Sequence, residues 1–207
     1  MSRAPHSASN ISQPRIADYP IDPVFLKRWS PLSFSSEEIS KDQLYSLLEA
    51  ARWTPSAYNS QPWRFVYAMR DSAIWSGFID LLMEGNRGWA KQAAAIIFII
   101  SKTTLLSPIS NTEKDAPSHS FDAGAAWMAM ALQATRMGLA TRPMTGVYFD
   151  KARQLLKVPQ NYHIDAAVAI GHPDTQSAPE ESHSRRLKFS NMRHSIHDMS
   201  REGYFKF

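Results

Sequence analysis

Residues 121–137 form the segment that most constrains the fold, because they read FDAGAAWMAMALQATRM and are apolar almost all round. A helix of this composition has no polar stripe to turn towards water, so it must be covered on several sides. In a chain of 207 residues this predicts a central helix or a helix at a subunit interface. Gly138 follows directly and is a residue type that ends helices.

Helical and strand patterns alternate along the rest of the chain. Ser40 and Gln43 form a capping box, and apolar residues recur after it at helical spacing through residue 52. Residues 93–101 and 163–171 are short apolar runs of the kind found in buried strands. Together these patterns predict an α+β fold with one sheet. We also expect a strand over 63–69, helices over 71–82 and 149–156, an extended segment over 139–145 and a surface loop over 107–120.

Composition excludes several classes of site. The chain has no cysteine, which excludes disulfides, thiolate metal sites and a cysteine nucleophile. Its 8 glycines never occur with G-x-G spacing, so the dinucleotide fingerprint and the P-loop are absent. A net charge of +4 suits an anionic ligand such as a phosphate, but the basic residues are scattered and do not predict nucleic-acid binding.

The length of the chain favours a single domain, and the sequence shows no clear targeting signal. We expect residues 1–20, rich in Ser, Pro, Ala and Asn, to be a disordered tail, and residues 21–207 to be a single domain. Uninterrupted apolar runs, such as residues 93–100, are far shorter than the roughly 18 residues of a membrane span. With no secretory signal apparent, we expect a cytoplasmic protein. His194 and His197 have helical spacing, yet a solvated basic tail explains them better than a metal site.

Three polar clusters carry potential binding chemistry. They lie at residues 27–30 (KRWS), 54–63 (TPSAYNSQPW) and 184–187 (SRRL). Each is also explained by a solvated basic face or a turn. Their chemistry is nevertheless compatible, because arginine and serine suit a phosphate, whereas Asn and Gln amides suit the polar edge of a heterocycle.

The order of these clusters and of several other motifs is specific. Residues 28–34 and 48–65 are followed by GNRGWA at 85–90, DAGAA at 122–126, PMTG at 143–146 and AIGHP at 169–173. This order resembles the nitroreductase family, FMN-dependent oxidoreductases with an α+β fold, over about residues 24–190. The resemblance implies a central, mostly antiparallel sheet flanked by helices, in a homodimer with extended terminal segments.

The resemblance also implies roles for individual residues. FMN would lie at the subunit interface, with its phosphate and ribityl end near Arg28, Trp29 and Ser30 and near Arg185 or Arg186. Asn86 would bind the polar edge of the flavin, and Pro143, Met144, Thr145 and Gly146 would line one face of the ring. Pro55, Ser56 and Asn59 would reach the same flavin from the other subunit, in a loop shaped by Gln61. Trp89 and Tyr58 would border the substrate.

Two positions depart from the family pattern. The family usually has a second basic residue two positions after the serine, where this chain has Leu32. A cation there would stabilise the negative charge of reduced flavin. Its absence predicts a lower midpoint potential than that of Leu32→Arg, unless Arg64 or another cation substitutes. Thr145 also stands where many members have an acid.

The implied reaction uses one site for two steps. NADH or NADPH would reduce FMN and leave, and a nitroaromatic or quinone-type acceptor would then take the electrons. The cofactor carries this chemistry, so no catalytic triad is expected, and none is apparent. Alternatives are an FMN-dependent reductase of activated alkenes, another flavin-modifying enzyme of this fold, or a non-enzymatic flavin-binding regulator.

Overall fold

The computed structural model describes residues 15–174 and 193–205. The chain divides into two compact units. One is Arg28–Asp174, and the other contains the described residues 15–27 and 193–205.

The larger unit contains six strands and five longer helices. The strands are β1 (Trp63–Met69), β2 (Ala95–Lys102), β3 (Thr104–Leu106), β4 (Glu113–Asp115), β5 (Ala140–Met144) and β6 (Tyr162–Gly171). In the whole described chain the α-helices are α1 (Pro23–Lys27), α2 (Lys41–Arg52), α3 (Trp75–Asp80), α4 (Glu84–Ala90), α5 (His119–Arg136), α6 (Phe149–Leu155) and α7 (Ile196–Met199). A 3₁₀ helix spans Ala57–Asn59.

A four-stranded sheet of order β1-β2-β6-β5 forms the centre of this unit, and every pair in it is antiparallel. β2 is buried along almost its whole length. Its alternate side chains enter two separate apolar clusters, so that Phe98 packs with residues of α3, α4 and α6, whereas Ile97 packs with residues of α2 and α5. Helices therefore cover both faces of the sheet, and the mostly antiparallel α+β fold expected from the sequence is confirmed.

The ends of α2 and α5 follow from their sequences. Ser40 Oγ accepts from the Gln43 backbone N–H (3.1 Å), and Gln43 Oε1 accepts from the Ser40 N–H (2.8 Å), which completes the expected capping box. Gly138 ends α5 with φ of +74°, a left-handed conformation that glycine adopts without a steric penalty because it has no Cβ. Leu139 N–H then donates back to the Ala134 carbonyl (2.8 Å).

α5 is not buried on all sides within one chain. Its inner face, which includes Ala123, Met130 and Ala134, packs in the core, while Phe121 is 81% exposed. Within one chain α5 is therefore covered on several sides, by the sheet and by α2, while part of its surface stays exposed. The alternative expectation, a helix at a subunit interface, remains a prediction.

Two segments differ from the expected elements. The helix expected over 71–82 extends only over Trp75–Asp80, because Ser72 Oγ binds the Met69 carbonyl (2.6 Å) in a turn and Ile74 is exposed. The loop expected over 107–120 contains β4, which pairs with β3, and the first turn of α5. Lys102 Nζ forms an ion pair with Glu113 Oε1 (2.8 Å), which ties this hairpin to the end of β2.

The smaller unit is organised around Asp18. Its carboxylate accepts from the Ile196 N–H (2.8 Å) and from Ser195 Oγ (3.1 Å) at the start of α7, and these hydrogen bonds lower the Asp18 pKa. Tyr204 and Phe205 are largely exposed. Among residues 15–174 and 193–205 no three metal-binding side chains come together, and no helix there could cross a membrane.

The capping box gives a stability prediction. Ser40→Ala removes the hydrogen bond to the Gln43 N–H, so the free energy of unfolding should fall by about 1 kcal/mol. Urea unfolding at fixed protein concentration measures this change. Ser36→Ala is the matched control, because the hydrogen bond to Ser36 uses its backbone carbonyl. Equal stability of the two variants would contradict the prediction.

Candidate active site

The first feature of the site is a close approach between α4 and the segment after β5. Asn86 Nδ2 donates to the Gly146 carbonyl oxygen (3.1 Å), which also accepts from the Met83 N–H (2.9 Å). A Cβ added to Gly146 would overlap the Asn86 amide nitrogen. Position 146 must therefore be glycine for the Asn86 amide to sit where it does, although the φ of Gly146 is ordinary.

Backbone donors lie next to this amide. The Thr145 and Gly146 N–H groups donate no hydrogen bond to any part of the chain that the structure describes. Pro143 is half-buried and Thr145 is exposed, whereas the Met144 side chain belongs to the buried core. Met144 could therefore line a ligand with its backbone alone. Asn86 and residues 145–146 offer polar groups that suit the edge of a planar heterocycle.

A cation and an aromatic ring form the second feature. The Arg142 guanidinium lies over the Trp89 ring, with Cζ 4.1 Å from the ring centroid, and Trp89 stacks on Phe34 at 6.3 Å. Arg142 Nη1 donates to the Pro31 carbonyl (2.9 Å). Burial lowers the pKa of Arg142, but a guanidinium remains charged throughout the physiological range.

These contacts bring three distant parts of the sequence together. Segment 28–34, α4 and the end of β5 meet through Pro31, Trp89 and Arg142. Arg28 is half-buried and its Nη1 lies 3.5 Å from Ser30 Oγ, which is exposed. Trp29, between them, is half-buried.

The loop over residues 55–61 has an unusual backbone. Tyr58 and Asn59 have φ of +53° and Gln61 has φ of +48°, so three residues that are not glycine occupy the left-handed region. Such conformations are unfavourable and persist when surrounding contacts enforce them, often at functional sites. Pro55, Tyr58, Asn59 and Gln61 are exposed, and Ser56 is half-buried.

Hydrogen bonds hold this loop in place. Gln61 N–H donates to Ser56 Oγ (2.9 Å), and Arg64 Nη1 donates to the Gln61 carbonyl (3.0 Å). The buried carboxylate of Asp122, in α5, accepts from the Ala57 N–H (3.1 Å) and from Ser118 Oγ (3.2 Å). The Arg64 guanidinium therefore helps to hold this loop.

The residues expected to form the site thus fall into two groups. Asn86, Trp89 and residues 143–146 share one region, to which the segment containing Arg28–Ser30 is joined through Pro31 and Phe34. No hydrogen bond or ring contact among the described residues joins the 55–61 loop to Asn86 or Gly146. Arg185 and Arg186 lie outside the described residues.

Sequence reasoning missed Arg142 and Asp122. Each has a weak signal in the sequence, since Arg142 is the one charged residue of β5 and Asp122 lies in the first turn of a mostly apolar helix. Charged residues are rarely buried without a partner or a function, so such positions are worth testing first.

Comparisons with known proteins agree with this geometry. The model of the nitroreductase family matches residues 26–87 and 75–172. The chain is similar to a solved oxidoreductase containing FMN, at 41% identity and a TM-score of 0.85 over 93% of this chain and 96% of that chain. It is also similar to an NADH dehydrogenase of Thermus thermophilus, at 27% identity over 74% of this chain and 87% of the relative.

A more distant structural neighbour shares the fold. The nitroreductase family protein of Streptococcus pneumoniae TIGR4 is 18% identical, with a TM-score of 0.69 over 87% of this chain and 98% of that chain. The family model and the solved structures lead to the same assignment, and the resemblance noted in the sequence is confirmed. The chain belongs to the nitroreductase family.

Proposed function

We propose that this protein is an FMN-dependent oxidoreductase that transfers reducing equivalents from NADH or NADPH to a nitroaromatic or quinone-type acceptor. The assembly of Asn86, Gly146, Trp89 and Arg142 into one region supports this proposal most directly. Family membership agrees with the expected enzyme class, an oxidoreductase. The FMN named for the solved relative of 41% identity supports the choice of cofactor.

The described residues fit a flavin mononucleotide. Gly146 leaves room for the Asn86 amide, which would bind the polar edge of the flavin ring beside the N–H groups of residues 145–146. Arg28 and Ser30 would hold the phosphate and ribityl end. Bound FMN would supply a centre that accepts a hydride and later releases electrons.

The second group of residues supports a site shared between two copies. The 55–61 loop is exposed, fixed in an unfavourable backbone conformation, and separate from Asn86 within one protomer. We infer that Pro55, Ser56 and Asn59 reach the flavin bound by the other subunit of a homodimer. α5, which holds this loop through Asp122 and exposes Phe121, would then contribute to the subunit interface.

The chain positions reactants and needs no nucleophile of its own. Trp89 offers an aromatic edge at the open face, where nicotinamide and acceptor would stack in turn. Because both would use one face, the nicotinamide must leave before the acceptor enters. The cytoplasmic location remains a prediction.

Purification provides the first test. The protein should be yellow and dimeric, NADH or NADPH should bleach it, and a quinone or nitroaromatic compound should restore the colour. Absorbance spectroscopy with stopped-flow mixing measures each step. A colourless monomer that fails to take up added FMN would refute the proposal. Bleaching by neither nicotinamide would favour a regulator, and restoration by activated alkenes alone would favour an alkene reductase.

Gly146 provides a test of the ring site. Gly146→Ala places a methyl group against the Asn86 amide, so the affinity of the apoprotein for FMN should fall by at least about tenfold, equivalent to about 1.4 kcal/mol. Fluorescence titration with FMN measures this change. Gly77→Ala is the control, because its Cβ would meet only the Leu155 side chain at an ordinary 3.5 Å. Unchanged FMN affinity in Gly146→Ala would place the flavin elsewhere.

A mixed dimer tests the shared site. Gly146→Ala and Asn59→Ala should each weaken both sites of their own homodimer. In a heterodimer of the two variants, one site carries both changes and the other carries none, because the two residues come from different subunits. We therefore expect the purified heterodimer to bind one FMN with wild-type affinity. Two weakened sites, one with the affinity of each homodimer, would show that one subunit supplies both residues.

A further inference from the structure

Arg142 has more hydrogen-bonding capacity than the described structure uses. Its side chain is half-buried, and its one hydrogen bond to a described residue goes from Nη1 to the Pro31 carbonyl. No carboxylate among residues 15–174 and 193–205 forms an ion pair with it. A guanidinium carries five N–H donors, so most of them have no partner in this part of the chain.

The Trp89 ring compensates for only part of the hydration that the buried guanidinium loses. The face of an indole attracts a cation, which explains why the guanidinium lies 4.1 Å from the ring centroid. An aromatic face cannot accept the in-plane N–H groups as oxygen atoms do. Burial also disfavours the charged form and lowers the pKa of Arg142, and no carboxylate of the described residues opposes this effect.

The position of Arg142 connects it to the proposed ring site. It directly precedes Pro143, and residues 143–146 carry the backbone groups that lie beside Asn86. The carbonyl that it binds belongs to Pro31, the residue before Leu32. The guanidinium is therefore held next to the position where the family pattern has a cation and this chain does not.

We propose that Arg142 provides the positive charge that position 32 lacks and stabilises the negative charge of the flavin ring after two-electron reduction. This proposal rests on the proposed function. Bound FMN would accept a hydride, which is two electrons and one proton, from the nicotinamide, and the nicotinamide would leave oxidised. Arg142 would balance the one negative charge left on the ring, so that no second proton is needed. The contact with Pro31 and the stacking on Trp89 fix the guanidinium before the charge develops.

A purely structural role is the competing explanation. Arg142 could serve only to fasten segment 28–34 to β5 and to pack on Trp89. In that case, replacing Arg142 would weaken the binding of oxidised and reduced flavin equally. The affinity for FMN would change and the midpoint potential would not. A stabilising charge acts on the reduced form alone.

The test compares the midpoint potential of bound FMN with the affinity of the apoprotein for oxidised FMN. In Arg142→Gln we expect oxidised FMN to bind within about threefold of wild type and reduced FMN to bind at least about tenfold more weakly. For a two-electron couple, each tenfold increase in the ratio of the dissociation constant of reduced FMN to that of oxidised FMN lowers the midpoint potential by about 30 mV. Arg142→Lys keeps the charge and should retain most of the wild-type potential.

Two further variants make the test specific. Lys151→Gln removes another cation that lies over an aromatic ring, Tyr148, and should leave the potential unchanged. Leu32→Arg should raise the potential more in the Arg142→Gln background than in the wild type, because one cation already serves the ring in the wild type. Equal effects of Leu32→Arg in both backgrounds, or a wild-type potential in Arg142→Gln, would overturn the proposal.

A measurement on the unaltered protein applies even if Arg142→Gln does not fold. We expect the wild-type holoprotein to take up one proton for every two electrons at pH 7, measured from the pH dependence of its midpoint potential. Uptake of two protons would overturn the role of Arg142 while leaving the flavoenzyme assignment intact. Failure of the wild type to bind FMN would overturn both.

Discussion

The close approach of Gly146 to Asn86 is the contact on which the rest of the site depends. It fastens α4 to the end of β5, and the same carbonyl oxygen also holds the backbone of Met83. Because α4 is fixed there, Trp89 faces the Arg142 side chain from β5, and Arg142 in turn binds the segment before Leu32. A methyl group at position 146 would therefore displace the Asn86 amide from this contact.

The elements that the sequence predicts well are those specified by local patterns. The Ser40–Gln43 capping box, the alternating burial of β2 and the glycine after α5 each depend on a few neighbouring residues. The expected helix over 71–82 is shortened by a side chain hydrogen bond, and the β3–β4 hairpin depends on pairing across a turn that carries little hydrophobic pattern. Short strands with exposed side chains leave no periodic signal to detect.

The candidate site could be proposed from the sequence where it consists of motifs, and not where it consists of long-range contacts. Asn86 and residues 143–146 are recognisable from the order of motifs along the chain. The significance of Arg142 emerges only when β5 meets residue 31, 111 positions earlier in the chain. Asp122 acquires its role similarly, because its partner Ala57 lies 65 positions away. Neither separation can be read from local spacing.

The left-handed residues of the 55–61 loop have a consequence for the thermodynamics of binding. Tyr58, Asn59 and Gln61 already adopt restricted backbone conformations within one protomer, held by Ser56, Arg64 and Asp122. The loss of conformational entropy needed to shape this loop therefore occurs when the chain folds. A ligand or second subunit that meets the loop encounters a surface that is already ordered, and more of the contact energy is retained as affinity.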